Sequence, residues 1–427
     1  VSTQPAQFVF QLRRNIVIEG DRQLAELELS AFLPGELVGL DDLTTAATET
    51  PALWALHGFG TLGSHSRPKG RQGYVASGPL SLLPELIRRL SFIQRLYCIS
   101  DDTEAARELL AVTEQRLGPV FTWQTQGGQL VIQAVPHYAV IELSEVVARQ
   151  STGVADMKRN LDALVVALLD RTTERHAVQL GEKALSAGST TSHLSHDIHY
   201  YKAKFFPRMV RSLLNVCSQR LGPGTHRAID NFSGSGTTLL EASLLGIPSV
   251  GLDIDPLSVM IAKAKLEVLH LDAEYLASEV AKVFAGMHAR MSGQLSLFGD
   301  PAGALVDEDI VFPAWLMKNR QMNASIAKDL DREIRTVRAG VVAGAPDVRN
   351  VLRVLMSDAI ARKIRMRFLG TGVGRFALSF AVTSMVTHFS TALTQYVKVA
   401  ATCEWLRETL HLQLADAQVM TADTRQF

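Results

Sequence analysis

One segment constrains this chain more than any other: Asp230-Asn231-Phe232-Ser233-Gly234-Ser235-Gly236-Thr237-Thr238, where two glycines join a short apolar run to an apolar helix. Ala228-Ile229 reads as the end of a buried strand, and Thr237 to Leu245 as the helix leaving the turn. Glycines at such a bend let the backbone approach a ligand closely. A second strand, Ser249 to Leu252, ends on Asp253 and runs into Ile254-Asp255-Pro256. Asp255 and Pro256 supply the cap and first residue of the next helix, which leaves the Asp253 carboxylate free to accept the hydroxyls of a ribose. Strand, glycine turn, helix and acid-tipped strand make a nucleoside-binding half-fold.

The residues narrow the choice of nucleoside. A dinucleotide site wants a third glycine or alanine three residues after Gly236, and Leu239 stands there. A nucleotide-phosphate loop wants Gly-Lys-Ser or Gly-Lys-Thr, and neither triplet occurs. Asp230 adds a negative charge suited to a cationic ligand. S-adenosylmethionine carries a sulfonium and an amino group and no phosphate, so it fits best.

The run Asp230 to Ala242, followed by Gly251-Leu252-Asp253-Ile254-Asp255-Pro256-Leu257, resembles the cofactor motifs of the amino-methylating DNA methyltransferases. Upstream, His199-Tyr200-Tyr201-Lys202-Ala203-Lys204-Phe205-Phe206-Pro207-Arg208 resembles the segment that lies over the methionine end of the cofactor in that family. The resemblance implies an α/β, Rossmann-like methyltransferase fold. It places Lys204, Phe205 and Pro207 along the cofactor's tail, Gly234 and Gly236 beside it, and the ribose on Asp253. It adds contacts from Asp230, Phe232, Thr237 and Ile254. The last residues, Val419 to Asp423, resemble the strand that precedes the catalytic motif in relatives, and Asp423 would hydrogen-bond the adenine.

That catalytic motif is Asp, Asn or Ser, then Pro-Pro, then an aromatic. Its polar groups accept hydrogen bonds from the target amino group, and its aromatic stacks on a flipped base. No two prolines are adjacent in this chain. The expectation is therefore a fold incomplete at its C-terminus, with the catalytic residues unknown. A missing C-terminal part or a complementary subunit would carry the Pro-Pro-aromatic motif. The first residue is Val1 and not Met, which also hints at a gene fragment, an alternative start or processing. Alone, the chain is expected to bind cofactor without methylating DNA at cytosine N4 or adenine N6. A cytosine-C5 enzyme would need a Pro-Cys nucleophile, and none of the three cysteines follows a proline. The rivals are a fragment of a tRNA or other RNA guanosine N2-methyltransferase and a non-catalytic cofactor-binding subunit of a split enzyme.

Lysine and arginine together number 43, as do aspartate and glutamate, so any DNA contact must come from a local patch and not from net charge. Cys98, Cys217 and Cys403 are dispersed without metal-like spacing, which suits a reduced, cytoplasmic chain without disulfides. No apolar run is long enough to span a bilayer.

Along the chain, 1–150 reads as an N-terminal α+β accessory domain and 151–195 as a helical linker. The cofactor-binding core spans 196–268, a mainly helical insertion 269–410, and a return strand 411–427. In the first region, Phe8 to Leu12 and Ile16 to Ile18 read as strands, with Leu24 to Phe32, Leu82 to Leu90 and Glu104 to Leu117 as helices. A hairpin turns at Gly127-Gly128. This module resembles the auxiliary N-terminal domains of tRNA guanosine methyltransferases. Ala155 to Ala187 is helical, and Gly188 to Ser192 forms a flexible joint. His193, His196 and His199 follow without a cysteine or carboxylate cluster and read as a polar loop, with no metal site. Glu241 reads as a solvent or packing residue of its helix.

In the insertion, Asp272 to Arg290, Ala324 to Arg338 and Val348 to Ile360 read as helices standing over the ligand crevice. Phe312-Pro313-Ala314-Trp315-Leu316 resembles an aromatic knot of related DNA methylases. Arg362, Lys363, Arg365 and Arg367 form the densest basic run. Beside the glycine loop Gly370 to Arg375 they are the candidates for gripping phosphates; the bland alternative is a solvated helix end. Gln294-Leu295-Ser296-Leu297-Phe298 resembles the pentapeptide that docks bacterial proteins into the replication sliding clamp, against a loop anchor tucked into the core.

Overall fold

The computed structural model describes residues 5–43, 53, 71–186, 193–202, 204–222, 224–292, 310–319, 321–368 and 376–426. The joint at 188–192, the pentapeptide at 294–298 and the glycine loop at 370–375 lie outside them.

Six strands form an antiparallel sheet in the N-terminal third. They are β1 (Pro5–Leu12), β2 (Val38–Leu40), β3 (Gly73–Pro79), β4 (Ile93–Ser100), β5 (Phe121–Gln126) and β6 (Gln129–Ala134), in the order β2-β3-β1-β4-β6-β5. Gly127 and Gly128 take φ of 58° and 86°, the positive values that a tight hairpin between β5 and β6 demands. Ile16 to Ile18 is not a strand. Ile18 is the residue before the helix Glu19–Phe32, and Val17 and Ile18 are exposed.

The helices His137–Gln150, Val154–Leu168 and Arg175–Ser186 lead from this sheet to the second half. The second sheet is parallel and ordered β11-β8-β7, from β7 (Ala228–Asp230), β8 (Ser249–Asp253) and β11 (Ala417–Thr421). The helices Thr237–Leu244 and Pro256–Glu267 cover it, closing a small core of Leu239, Val259, Ala262 and Val419. The chain is thus mixed α/β with a parallel sheet and many helices.

Among the described residues β7 pairs only with β8, and its Ile229 is 67% exposed, not buried. The strand stands at the edge of the sheet, with no neighbour on its outer side among the described residues.

Four long helices fill the stretch between β8 and β11: Ala273–Met291, Ala324–Ala343, Arg349–Lys363 and Met385–Thr409. Phe389, Tyr396, Ala400 and Trp405 of the last helix share one apolar core with Ile141, Val147 and Leu161, with Phe8 and Phe10 of the first sheet, and with Leu240 and Leu244 after the glycine turn. No helix of the described residues is long and apolar enough to cross a membrane.

Candidate functional site

Three carboxylates gather at one end of the parallel sheet, because Asp230 ends β7, Asp253 ends β8, and Asp423 follows β11 by two residues. The glycine turn lies between the first two. Asp253 fixes it: one carboxylate oxygen accepts from the Gly234 amide at 2.8 Å and the other from the Asp255 amide at 2.9 Å. Asp255 caps the next helix, accepting from the amides of Leu257 and Ser258 at 3.2 and 3.1 Å and from the Ser258 hydroxyl at 2.6 Å. The Ser258 hydroxyl bond, with the amide bonds, holds the Asp255 carboxyl below its usual range. Asp253 is therefore not the cap. The residue is half-buried, and each of its oxygens has a lone pair beyond the one bond it accepts.

Gly234 and Gly236 have φ of 49° and 76°. A Cβ on Gly236 would sit 2.7 Å from that of Ala262, so this glycine lets the two helices meet. The missing third glycine is answered from the strand. A Cβ on Gly251 would lie 2.6 Å from Leu239, so a bare residue on β8 makes the room that a bare residue on the helix makes in dinucleotide folds.

Above the turn, the Tyr201 ring lies 3.2 Å from where a Gly234 Cβ would be, and its hydroxyl is 3.1 Å from the Ser258 hydroxyl. Lys204 donates to the His196 carbonyl at 3.2 Å and pairs with Asp197. Pro207 is buried as the first residue of the helix Pro207–Leu221, while Phe205 and Phe206 are exposed and belong to no core. Phe232 and Ile254 are exposed too, at 79% and 65%, on the turn and on the tip of β8. Thr237 is buried in the first helical turn. Asp230 accepts from the Phe232 amide at 3.1 Å. Asp423 is ion-paired with Arg425 at 2.6 Å, and these hydrogen bonds hold its carboxyl below the usual range.

The histidines correct the sequence reading. His193 and His196 are fully buried, and their Nε2 atoms lie 3.3 and 2.9 Å from one Glu241 oxygen. The other Glu241 oxygen receives Arg211 Nη1 at 3.3 Å. Glu241 is thus neither solvent-facing nor simple packing; it anchors a buried polar knot. Arg211 lies over the Tyr138 ring at 4.8 Å and donates to the Arg88 and Arg89 carbonyls, tying the knot to the N-terminal third. Two imidazoles and a carboxylate this close have the makeup of a metal site. The donor set does not fit one. Neither buried Nδ1 has the hydrogen-bond partner that orients a ligand histidine, and a dication would lie beside the Arg211 charge. His199 sits apart, with Nε2 3.1 Å from Ser357.

Burial lowers the His196 pKa to about 3, against the hydrogen bond that its ring donates to Glu241, and lowers that of buried His137 to about 4. Unfolded histidines titrate near ~6.5, so between that pH and the folded values the unfolded chain binds protons that the folded chain does not. Stability should fall as pH drops below ~6.5, by roughly 2 kcal/mol per histidine at pH ~5. Urea denaturation at a series of pH values measures this; a flat profile from pH ~7 to ~5 would show that the two rings are not buried and neutral.

The basic run divides. Arg362 pairs with Asp358 one helical turn back, and Lys363 donates to the Ala381 carbonyl at 3.0 Å. Arg365 is exposed on β9 (Ile364–Phe368), which pairs with β10 (Phe376–Phe380). The run is therefore a helix end continuing into a two-stranded ribbon. Ile364, Leu378 and Phe380 seat the ribbon on Leu316 and Leu330. Arg367 also lies in β9. Trp315, in the expected aromatic knot, is 47% exposed.

Sequence reasoning missed Tyr201, Gly251, Lys265 and the Glu241 knot. A signal for the first and third existed: Ser258, Ala262 and Lys265 recur at i, i+4 and i+7 on the helix that backs the turn.

No protein-family model matches the chain. Similarity to curated proteins is partial. The type II methyltransferase M.MjaII of Methanocaldococcus jannaschii is 42% identical over 83 residues, 19% of this chain and 15% of that protein. M.MvaI of Kocuria varians is 26% identical over 170 residues, 38% of this chain and 37% of that protein. M.BsoBI of Geobacillus stearothermophilus is 26% identical over 133 residues, 30% and 26% of the two chains. Part of this chain is thus homologous to type II methyltransferases, and it spans well under half the length of each of these relatives.

Proposed function

We propose that the chain is the S-adenosylmethionine-binding part of a Rossmann-like DNA methyltransferase acting on an exocyclic amino group, cytosine N4 or adenine N6. The observation carrying this reading is the placement of Asp230, Asp253 and Asp423 at one end of the parallel sheet beside a glycine turn, with Phe232 and Ile254 exposed next to them in the chain. Acids suit a ligand with cationic groups and no phosphate, and exposed apolar side chains beside them gain by covering adenosine. The residues present fit the donor. Asp253 has lone pairs left for a ribose, and Tyr201 and Lys204 close the side toward the methionine tail. Asp423 reaches an adenine once the exposed Arg425 changes partner. The donor supplies an electrophilic methyl, and the target nitrogen attacks it directly.

On this reading the Pro-Pro-aromatic segment belongs to a further strand beside β7, from more of the same polypeptide or from a complementary subunit. The unpaired β7 edge and exposed Ile229 support this. Kinship with type II methyltransferases favours DNA over RNA as the substrate. The test is calorimetric titration of the chain with S-adenosylmethionine, with saturable one-to-one uptake expected. A folded sample that takes up none would remove the reading.

The ribbon β9–β10 is the proposed DNA contact, since a two-stranded ribbon fits a major groove. With Arg362 and Lys363 engaged internally, Arg365 carries the prediction. In a complex that binds DNA, Arg365→Ala should weaken binding at every sequence and reduce the salt slope by about 1, as expected for one lost phosphate contact. An unchanged slope would move the DNA elsewhere.

A further inference from the structure

Beneath the glycine turn lies a buried amine for which the proposed function has no use. Lys265, on the helix Pro256–Glu267, is 0% exposed, and its Nζ donates to the Ser235 hydroxyl at 3.0 Å. Ser235 is the residue between the two positive-φ glycines, and it is itself buried. The backbone of Lys265 is fixed as well, because its carbonyl accepts from the Ser195 hydroxyl at 2.9 Å. The turn therefore rests on Lys265 from below while Tyr201 covers it from above. We propose that Lys265 is a positioning residue of the glycine turn: it supports Ser235, and a proton exchanging on its nitrogen is coupled to uptake of the sulfonium donor. This rests on the reading of the turn as an S-adenosylmethionine site.

The argument starts from donor and acceptor counts. An ammonium carries three donors, and Ser235 is the one acceptor recorded for Lys265 among the described residues. Among the described residues no carboxylate bonds to it. Asp197 is held by Lys204, His196 faces the same space as a neutral ring, and Lys204 is itself a cation. Burial first, and Lys204 second, bring the amine down to about 7, with Asp197 opposing. An uncharged amine still supports Ser235 without setting a second positive charge beneath the turn. On that reading a protonated Lys265 and the donor's sulfonium would be like charges in a poorly screened interior. S-adenosylhomocysteine lacks the sulfonium and escapes that repulsion. Linkage is reciprocal, so a proton that weakens the donor is in turn expelled by it.

The experiment has two arms. In the ligand-free chain, NMR of 13Cε-labelled lysine should show one signal titrating near pH 7 that is absent from Lys265→Met; no such signal overturns the proposal without reference to any ligand. In calorimetry, S-adenosylmethionine should bind roughly tenfold more weakly at pH 6 than at pH 8, the size of an ordinary coupling between sites. Protons should be released on binding, as read from buffers of different ionisation enthalpy. S-adenosylhomocysteine should show a much smaller step. Lys265→Met, checked for an unchanged melting profile, should lose the step, and Ser235→Ala should shift the NMR titration. A step that survives in Lys265→Met, or is equal for the two ligands, overturns the role of Lys265 while leaving the pocket standing. Absence of uptake at every pH removes the pocket reading as well.

Discussion

Replacing Glu241 with alanine should destabilise the chain by about 3–5 kcal/mol, the cost of breaking a buried ion pair from one side. The carboxylate meets Arg211 and two buried imidazoles at once, and all four groups are out of water. Alanine leaves the guanidinium with a buried charge whose remaining partners are the Arg88 and Arg89 carbonyls. It also leaves two ring N–H groups without their acceptor, a further desolvation cost. Glu241→Gln keeps the volume and one acceptor oxygen but not the charge, so it should fall between wild type and alanine. Urea denaturation followed by circular dichroism measures all three. A Glu241→Ala midpoint within about 1 kcal/mol of wild type would mean that the knot is solvated or re-formed by other groups.

The second large effect concerns the donor. Asp253→Ala removes the acceptor that ties the Gly234 and Asp255 amides together and, on the proposed reading, the group that receives the ribose. Hydrogen bonds to a charged acceptor contribute about 1.5–3 kcal/mol each, so S-adenosylmethionine should bind about 100-fold more weakly or worse. Asp253→Asn retains one oxygen and should lose about tenfold. The substitution also removes the bonds from the Gly234 and Asp255 amides, so the melting temperature of each variant is measured beside its affinity to separate a binding loss from an unfolded sample. Affinity within threefold of wild type in Asp253→Ala would place the sugar elsewhere.

What the sequence revealed was local. The glycine turn, the acid at the tip of β8, the cap at Asp255 and the hairpin at Gly127-Gly128 each depend on residues within one turn of chain, and the structure forms all of them. What stayed hidden depends on partners far away in sequence. All of β4 is buried, although Gln94 and Arg95 interrupt its apolar run. Arg95 is tolerated there because its guanidinium reaches Asp170 at 2.9 Å. His193 and His196 look like a polar loop until Glu241 is brought to them across more than forty residues. The apolar triplet Ile16 to Ile18 looks like a strand, but the helix beginning at Glu19 takes that stretch as its approach. In the proposed site, Asp253 and Gly234 were legible from spacing. Lys265 was passed over, although it shares one face of its helix with Ser258 and Ala262, because a lysine that will be buried looks in sequence like a solvated one.

Arg208 gives the boundary near residue 150 a different meaning. It stands one residue into the helix that follows the aromatic pair Phe205-Phe206, yet it binds Glu142 at 2.8 Å, and Glu142 also takes Arg13. Cutting the polypeptide between Glu142 and Arg208 would leave Glu142 with Arg13 on one piece and a guanidinium without its carboxylate on the other. Grafting the first third onto another enzyme, or expressing the second portion by itself, would therefore strip Arg208 of the partner it has in the intact polypeptide.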